Sequence, residues 1–183
     1  MISFPNILCS YAYSCKSKSL TSFLCKIARE AKTKLLIDSG AYTAYKIGKP
    51  VDLDEYIDFI KLLDDNGGAW NTIQLDVLGK QGETLKNLDY MYSKGVSPMP
   101  VLTVDMKSEK SIDLVEYNNY ICLGGGQRTW GGAKQWQWKR VTEVDRFTKG
   151  KAKSHYLAFV RIPDLYKLPL YSSDCSTWLA GQQ

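Results

Sequence analysis

Short apolar runs alternate with longer amphipathic stretches along most of this chain. The apolar runs have the length and composition of buried strands, and in the stretches between them apolar residues recur three and four positions apart, as on one face of a helix. The strand-like runs are residues 7–9, 35–38, 72–76, 100–104, 120–123, 156–160 and 170–173. The helical stretches are residues 19–31, 52–63, 82–94, 108–116 and 134–147. This alternation predicts right-handed βαβ units and a parallel sheet.

A (β/α) barrel is the natural closure of such units. Barrels of this type typically have eight strands and about 250 residues, whereas this chain has 183 residues and seven strand-like runs. We therefore predict one α/β domain over residues 1–183, a TIM-barrel-like fold that is incomplete or truncated. A second copy of the chain or a partner element would then complete the barrel. An open doubly wound sheet is the alternative, although no G-x-G-x-x-G follows the first strand.

Three of the strand-like runs lead into an aspartate. Asp38 and Asp76 each close a run, and Asp174 directly follows the last one. Because active sites of barrels lie at the C-terminal ends of the strands, the three acids are expected to converge on one cleft. A pair of carboxylates in one cleft suits nucleophilic and general acid/base catalysis, as in retaining glycosidases.

The composition restricts the class of protein without choosing a function. Hydrophobic residues make up 44% and charged residues 23% of the chain, as in an ordinary globular domain. Five scattered cysteines and a single histidine predict neither a metal site nor a disulfide framework, and no motif implies a cofactor. Without a membrane-length apolar run or a secretory signal, we expect a soluble cytoplasmic protein that does not contact a membrane.

Four segments resemble one enzyme family in the same order. Asp38-Ser39-Gly40-Ala41-Tyr42 is similar to the Asp-Ser-Gly-Gly-Phe signature of the tRNA-guanine transglycosylase superfamily, and closer to the Asp-Ser-Gly-Ala-Phe form of phage and bacterial members that insert 7-deazaguanines into DNA. Gln74-Leu75-Asp76 resembles the base-recognition strand of that family, Leu123-Gly124-Gly125-Gly126 its glycine turn, and residues 172–178 the segment with its nucleophile. The zinc cluster of the tRNA enzymes follows that segment, where this chain has only residues 179–183, so the resemblance excludes the metal subdomain.

The resemblance assigns chemical roles to the acids. It implies that Asp174 is the nucleophile, which forms a covalent sugar–enzyme intermediate, and that Asp38 is the general acid/base. It also implies a nucleic-acid partner, DNA rather than tRNA, a 7-deazaguanine-type base, and the host cytoplasm if the protein is phage-encoded. Asp76 would accept two parallel hydrogen bonds from a guanine-like base, while its alternative role is to cap the turn at residues 77–79.

Further residues are candidate contacts for the base and the phosphates. Gly124, Gly125 and Gly126 would let the backbone approach a flat ligand, Tyr42 would stack on a base, and Gln127 would read a base edge. With a net charge of +5, a polyanionic partner is compatible with the chain. The candidate phosphate contacts, which could equally be a solvated basic face, are Lys134, Lys139, Arg140, Lys149, Lys151 and Lys153.

Three functions stay open from the sequence. The first is exchange of guanine for a 7-deazaguanine in nucleic acid. The second is a catalytically inactive barrel that binds nucleic acid or a protein partner, and the third is a nucleoside N-glycosidase-like hydrolase. A Ser/His hydrolase is disfavoured because no G-x-S-x-G elbow occurs, and for the sole histidine, His155, we expect a structural hydrogen bond.

Overall fold

The chain divides into two compact units, Met1–Met99 and Pro100–Gln183. The structure, a computed structural model, describes residues 6–15, 17–30, 34–102, 108–124, 152–158 and 169–174, together with residues 142, 146 and 167. The single domain over residues 1–183 stays a prediction.

The N-terminal unit is built on a three-stranded parallel sheet in the order β1-β2-β3. Its strands are β1 (Ile7–Ser10), β2 (Leu35–Asp38) and β3 (Asn71–Thr72). Both faces of the central strand β2 are covered, because Leu35 and Ile37 on one face and Leu36 on the other are all buried. Ser10 on β1 is in register with Asp38 on β2. Just past β3, Ile73 forms a parallel bridge with Met99, so the parallel pairing continues beyond the strand itself.

Five described helices alternate with or follow these strands along the chain: α1 (Tyr11–Ser14), α2 (Lys18–Glu30), α3 (Ala41–Ile47), α4 (Leu53–Asp65) and α5 (Gln81–Ser93). The start of α4 is fixed by Asp52, whose Oδ1 accepts a hydrogen bond of 3.0 Å from the Glu55 amide. The helix then buries Tyr56, Ile60 and Leu63 against the sheet. Burial of this one stripe is the main reason why the amphipathic segment is helical.

The C-terminal unit contains a four-stranded parallel sheet in the order β4-β5-β6-β7. Its elements are β4 (Val101–Leu102), α6 (Ser108–Tyr117), β5 (Tyr120–Leu123), β6 (Lys153–Tyr156) and β7 (Ser172–Ser173). Ile121, Cys122 and Leu123 on β5 are buried, as expected of a strand inside a parallel sheet. None of the described helices in either unit has both the length and the hydropathy of a membrane span.

The differences from the predicted elements arise where polar residues are buried and where helices are short. The sixth strand was predicted at residues 156–160 but lies at Lys153–Tyr156, because Ser154 and His155 are buried polar residues that the apolar pattern does not mark. The short helices α1 and α3 follow strand ends and are too short to show a helical period. The predicted helix at residues 134–147 lies outside the described residues, apart from two single positions.

Candidate active site

Asp38 and Asp76 lie close together in the N-terminal unit, past the ends of neighbouring strands. Asp38 is the last residue of β2, and Asp76 follows β3. Burial, together with the negative charge of Asp38, raises the pKa of Asp76 from 3.8 to about 7, although a hydrogen bond from the backbone amide of Asp76 partly opposes both. The structure therefore brings together two of the three predicted acids.

A tight turn orients Asp38. The Oδ2 atom of Asp38 accepts a hydrogen bond of 3.0 Å from the amide of Gly40. Gly40 has a positive φ of 77°, and a Cβ atom there would lie 2.5 Å from the Cβ atom of Ala12 and 2.8 Å from the Oγ atom of Ser10. Only glycine satisfies both the backbone conformation and the close approach, which explains the third residue of the Asp38-Ser39-Gly40 segment.

Asp76 is half-buried in the wall of a cavity of about 550 Å³. This volume is within the usual range of small-molecule sites. The cavity lies against α3 and the start of α4, and its walls are mainly apolar. Polar groups enter it from Asp76, Lys80 and Asn87. The other lining residues are Ala41, Ala44, Tyr45, Gly48, Pro50, Val51, Leu53, Leu75, Val77 and Leu78. A flat heteroaromatic ring whose polar edge faces Asp76 would suit such a cavity.

The backbone around Asp76 is tied to helix α5. The Gln74 side chain is fully buried and donates from Nε2 to the Thr84 carbonyl oxygen. The Val77 amide donates to Thr84 Oγ1 at 2.9 Å, and Asn87 Nδ2 donates to the Leu75 carbonyl oxygen at 3.0 Å. Because Thr84 Oγ1 accepts the hydrogen bond of the Val77 amide, the first amide of the turn at residues 77–79 does not need the Asp76 carboxylate as its acceptor. The backbone on both sides of Asp76 is thus tied to helix α5.

Asp174 lies in the C-terminal unit, directly after β7. Its Oδ1 atom accepts a hydrogen bond of 3.0 Å from the Ala158 amide and lies 3.2 Å from Nε2 of His155. The side chain of His155 is only 3% exposed, and that of Asp174 is 22% exposed. Convergence of Asp174 with Asp38 and Asp76 stays a prediction.

His155 joins Asp174 to two hydroxyl groups. Its Nδ1 atom lies 2.6 Å from Ser172 Oγ, which lies 2.5 Å from the hydroxyl oxygen of Tyr120. The expected structural hydrogen bond of His155 is therefore confirmed, but its link to Asp174 was missed. Strand alternation contained the signal, because Ser172 and Asp174 are two residues apart and so face the same side.

The remaining predicted contacts are only partly described. Tyr42 lies on α3, and Nζ of Lys46 lies 4.8 Å from the centre of its ring. Gly124 is buried after β5, and its amide donates to the Leu102 carbonyl oxygen at 3.0 Å. Lys153 is exposed, with Nζ 4.5 Å from the Tyr171 ring centre. The other predicted contacts lie outside the described residues: Gly125, Gly126, Gln127, Lys134, Lys139, Arg140, Lys149 and Lys151.

Comparison with known proteins identifies the fold. No protein-family model matches the chain. No curated protein matches it either. Among solved structures, it is similar to the tryptophan synthase alpha subunit of Campylobacter jejuni, with a TM-score of 0.51, 14% identity, and coverage of 86% of this chain and 60% of that one. It is also similar to a mutant tryptophan synthase alpha subunit of Pyrococcus furiosus, with a TM-score of 0.52 and 10% identity. That match covers 86% of this chain and 62% of the other.

These similarities confirm the predicted TIM-barrel-like fold, since tryptophan synthase alpha subunits are (β/α) barrels. The chain spans 60% to 62% of the length of the two structures. At 10% to 14% identity, the similarity concerns the fold alone, because one barrel fold hosts many unrelated chemistries. The resemblance to guanine transglycosylases stays a prediction.

Proposed function

We propose that the protein is a transglycosylase-like enzyme that exchanges guanine for a 7-deazaguanine in nucleic acid, in DNA rather than in tRNA, in the cytoplasm. The observation that carries this proposal is the Asp76 carboxyl group, half-buried in the wall of a largely apolar cavity and close to a second acid, Asp38. The ordered resemblance of four segments gives the reaction, and the barrel fold is compatible with it.

Asp76 would select the base. The ionised carboxyl group accepts hydrogen bonds at both oxygens, and guanine and 7-deazaguanines present two parallel donors, N1–H and the exocyclic amine. Adenine presents no such pair of donors. Since the pKa of Asp76 is about 7, both protonation states are populated near neutral pH. A base with two donors favours the ionised state, so we propose that binding of the base releases a proton from Asp76.

Asp174 and Asp38 would perform the exchange. One oxygen of Asp174 attacks C1′ of the sugar and the C1′–N9 bond breaks, its electron pair passing to N9 of the departing guanine. This N9 atom takes a proton from Asp38, which must enter the step in its protonated form. The incoming base then attacks C1′, returns its N9 proton to Asp38, and the bond between Asp174 and C1′ breaks. The two steps balance without a cofactor. They require Asp174 to face the other two acids, as predicted above.

Base exchange into DNA tests the proposal. We would incubate the protein with a guanine-containing DNA duplex, or with a tRNA, and measure incorporation of radiolabelled guanine. Asp174→Asn and Asp38→Asn should each abolish incorporation, because they remove the nucleophile and the proton donor. Asp89→Asn is the matched control: it makes the same change of charge at an exposed position on α5 and should exchange at the wild-type rate.

The products distinguish the competing functions. Release of guanine without incorporation would indicate a nucleoside N-glycosidase-like hydrolase, in which water takes the place of the second base. Binding of DNA without release or incorporation would indicate an inactive binding barrel. Exchange by Asp174→Asn at the wild-type rate would show that Asp174 is not the nucleophile.

A further inference from the structure

A partly buried chain of hydrogen bonds in the C-terminal unit ends at Asp174. It runs from the Tyr120 hydroxyl through Ser172 Oγ and the imidazole of His155 to Asp174 Oδ1, with steps of 2.5, 2.6 and 3.2 Å. Register explains the arrangement, because His155 on β6 is the Cα partner of Ser172 on β7. None of the four segments that resemble the transglycosylases includes Tyr120 or His155.

For a neutral imidazole, the chemistry of the partners fixes the direction of this chain. An ionised carboxylate only accepts hydrogen bonds, so the contact with Asp174 requires a hydrogen on Nε2 of His155. In a neutral imidazole the other nitrogen, Nδ1, then has a lone pair and accepts the hydroxyl hydrogen of Ser172. The Ser172 oxygen in turn accepts from Tyr120. Every donor along the chain therefore points toward Asp174.

A second donor reaches the same oxygen. The Ala158 amide donates to Asp174 Oδ1 at 3.0 Å, and Ala158 has a positive φ of 58° that is unusual for a residue other than glycine. Backbone conformations of this kind persist where the surrounding structure imposes them, often at functional sites. Both described donors thus converge on Oδ1, which fixes the plane of the carboxylate.

From this geometry, and on the basis of the proposed function, we propose that His155 is a positioning residue: with the Ala158 amide it holds Asp174 through Oδ1 and presents Oδ2 to C1′ of the sugar. Ser172 and Tyr120 hold the imidazole in the required tautomer. The bond that forms is Oδ2–C1′, the bond that breaks is C1′–N9, and His155 exchanges no proton with the substrate.

The tautomer of His155 tests the alignment without any substrate. Because the chain has one histidine, the imidazole signals in a ¹⁵N-histidine-labelled sample all belong to His155. Long-range ¹H–¹⁵N correlation spectra at neutral pH should show a proton on Nε2. An Nε2 atom without a proton would overturn the proposal, because it could not donate to Asp174.

Two matched substitutions test the consequence for catalysis. The amide nitrogen of Gln at position 155 reaches the place of Nε2 and still donates to Asp174, whereas the amide of Asn reaches only the place of Nδ1. His155→Asn should lower kcat for guanine exchange into the DNA duplex on the order of a hundredfold, as expected when a reacting group is misplaced by about 1 Å. Its KM should be unchanged, and His155→Gln should restore most of kcat.

The same variants give the results that would contradict the proposal. Equal losses in His155→Asn and His155→Gln, with both variants folded by circular dichroism, would overturn the positioning role. A covalent DNA adduct on Ser172 in place of Asp174, detected by mass spectrometry, would also overturn it, because Ser172 would then be the nucleophile. If the wild-type protein exchanged no base but showed a protonated Nε2, the proposed function would fail and the alignment of Asp174 would stand.

Discussion

At the scale of single residues, Asp76 has the strongest consequence for the chemistry. A carboxyl group with a pKa of about 7 is poorly suited to a structural role at neutral pH, because burial of its charged form costs free energy. The same property suits a group that becomes ionised when a ligand offers it two hydrogen-bond donors. A strongly raised pKa of this kind is a common feature of functional sites.

Replacement of Asp76 should reveal this cost as a pH-dependent gain in stability. Above pH 3.8 the unfolded chain loses the Asp76 proton, whereas the folded protein keeps it until about pH 7. The folded state therefore binds more protons in this window, and the contribution of Asp76 to stability falls as pH rises from about 4 to about 7, by at most about 1.4 kcal/mol for each pH unit.

The Asp76→Asn variant does not titrate and should escape this loss. The free energy of unfolding in urea of Asp76→Asn should therefore exceed that of wild type by more at pH 8 than at pH 5, because only wild type loses stability over this range. Asp89→Asn, at an exposed position, is the control that should show no such difference. A stability difference between Asp76→Asn and wild type that is the same at both pH values would mean that Asp76 has an ordinary pKa.

The position of Asp76 was predictable from the sequence, but its pKa was not. An apolar run that ends in an acid places the carboxyl group past a strand end. The pKa depends on how deeply the group is buried and on the distance to Asp38, which only the packing of neighbouring strands determines. The role of His155 could not be predicted either, because its contact with Ser172, far from it in the sequence, also depends on the packing of neighbouring strands.

At the scale of elements, the link from β2 to α3 positions the first acid. Asp38, Ser39 and Gly40 form the turn, and the fully buried Ser39 accepts a hydrogen bond of 3.4 Å from the Ala41 amide at the start of α3. The strands with apolar residues were predicted to within a few positions, whereas α3 was not predicted because seven residues are too few to show a helical period.

Two alanine substitutions distinguish the two reasons for glycine in this region, which are a positive φ and the lack of room for a Cβ atom. Gly40→Ala combines a positive φ with a Cβ contact of 2.5 Å to Ala12, whereas Gly48→Ala, at the end of α3, has a positive φ of 66° and no atom within 4 Å. Gly48→Ala should cost about 1 kcal/mol from backbone conformation alone. Gly40→Ala should cost about 1 to 3 kcal/mol more, because the β1–α1 backbone must shift.

Urea unfolding monitored by circular dichroism would measure both values, and base exchange would show the local effect. Gly40→Ala should also reduce exchange in the protein that remains folded, because the turn orients Asp38. Equal destabilisation of the two variants would mean that the neighbours of Gly40 move aside without cost.

At the scale of the whole molecule, the predicted fold class is confirmed, whereas the function stays a prediction. Alternating periods of strand and helix dictate parallel βαβ units, and few folds accommodate a run of them. Similarity to two tryptophan synthase alpha subunits confirms that class. Function depends on side chains at strand ends, which the fold leaves free to vary, so the substrate is a proposal that only binding and exchange can test.

The proposed nucleic-acid partner predicts a steep dependence of binding on salt. The chain has a net charge of +5, and each phosphate that a lysine neutralises releases counterions, so log K should fall with log salt with a slope of about −0.9 for each neutralised phosphate on duplex DNA. A variant that combines Lys149→Ala, Lys151→Ala and Lys153→Ala should have a less negative slope. The change should be up to about 0.9 for each phosphate that the variant no longer neutralises.

A control variant, in which three other lysines are replaced by alanine, distinguishes a localised phosphate site from the effect of net charge. This control combines Lys26→Ala, Lys61→Ala and Lys86→Ala, all at helix positions outside the proposed site. It lowers the net charge by the same amount as the variant at residues 149–153. Because the two triple variants have the same net charge, only a localised phosphate site would give them different slopes. Fluorescence anisotropy with single-stranded DNA, duplex DNA and an RNA hairpin would measure the slopes. Equal slopes for the two triples would exclude the site at residues 149–153, and absence of binding to all three probes at low salt would exclude a nucleic-acid partner.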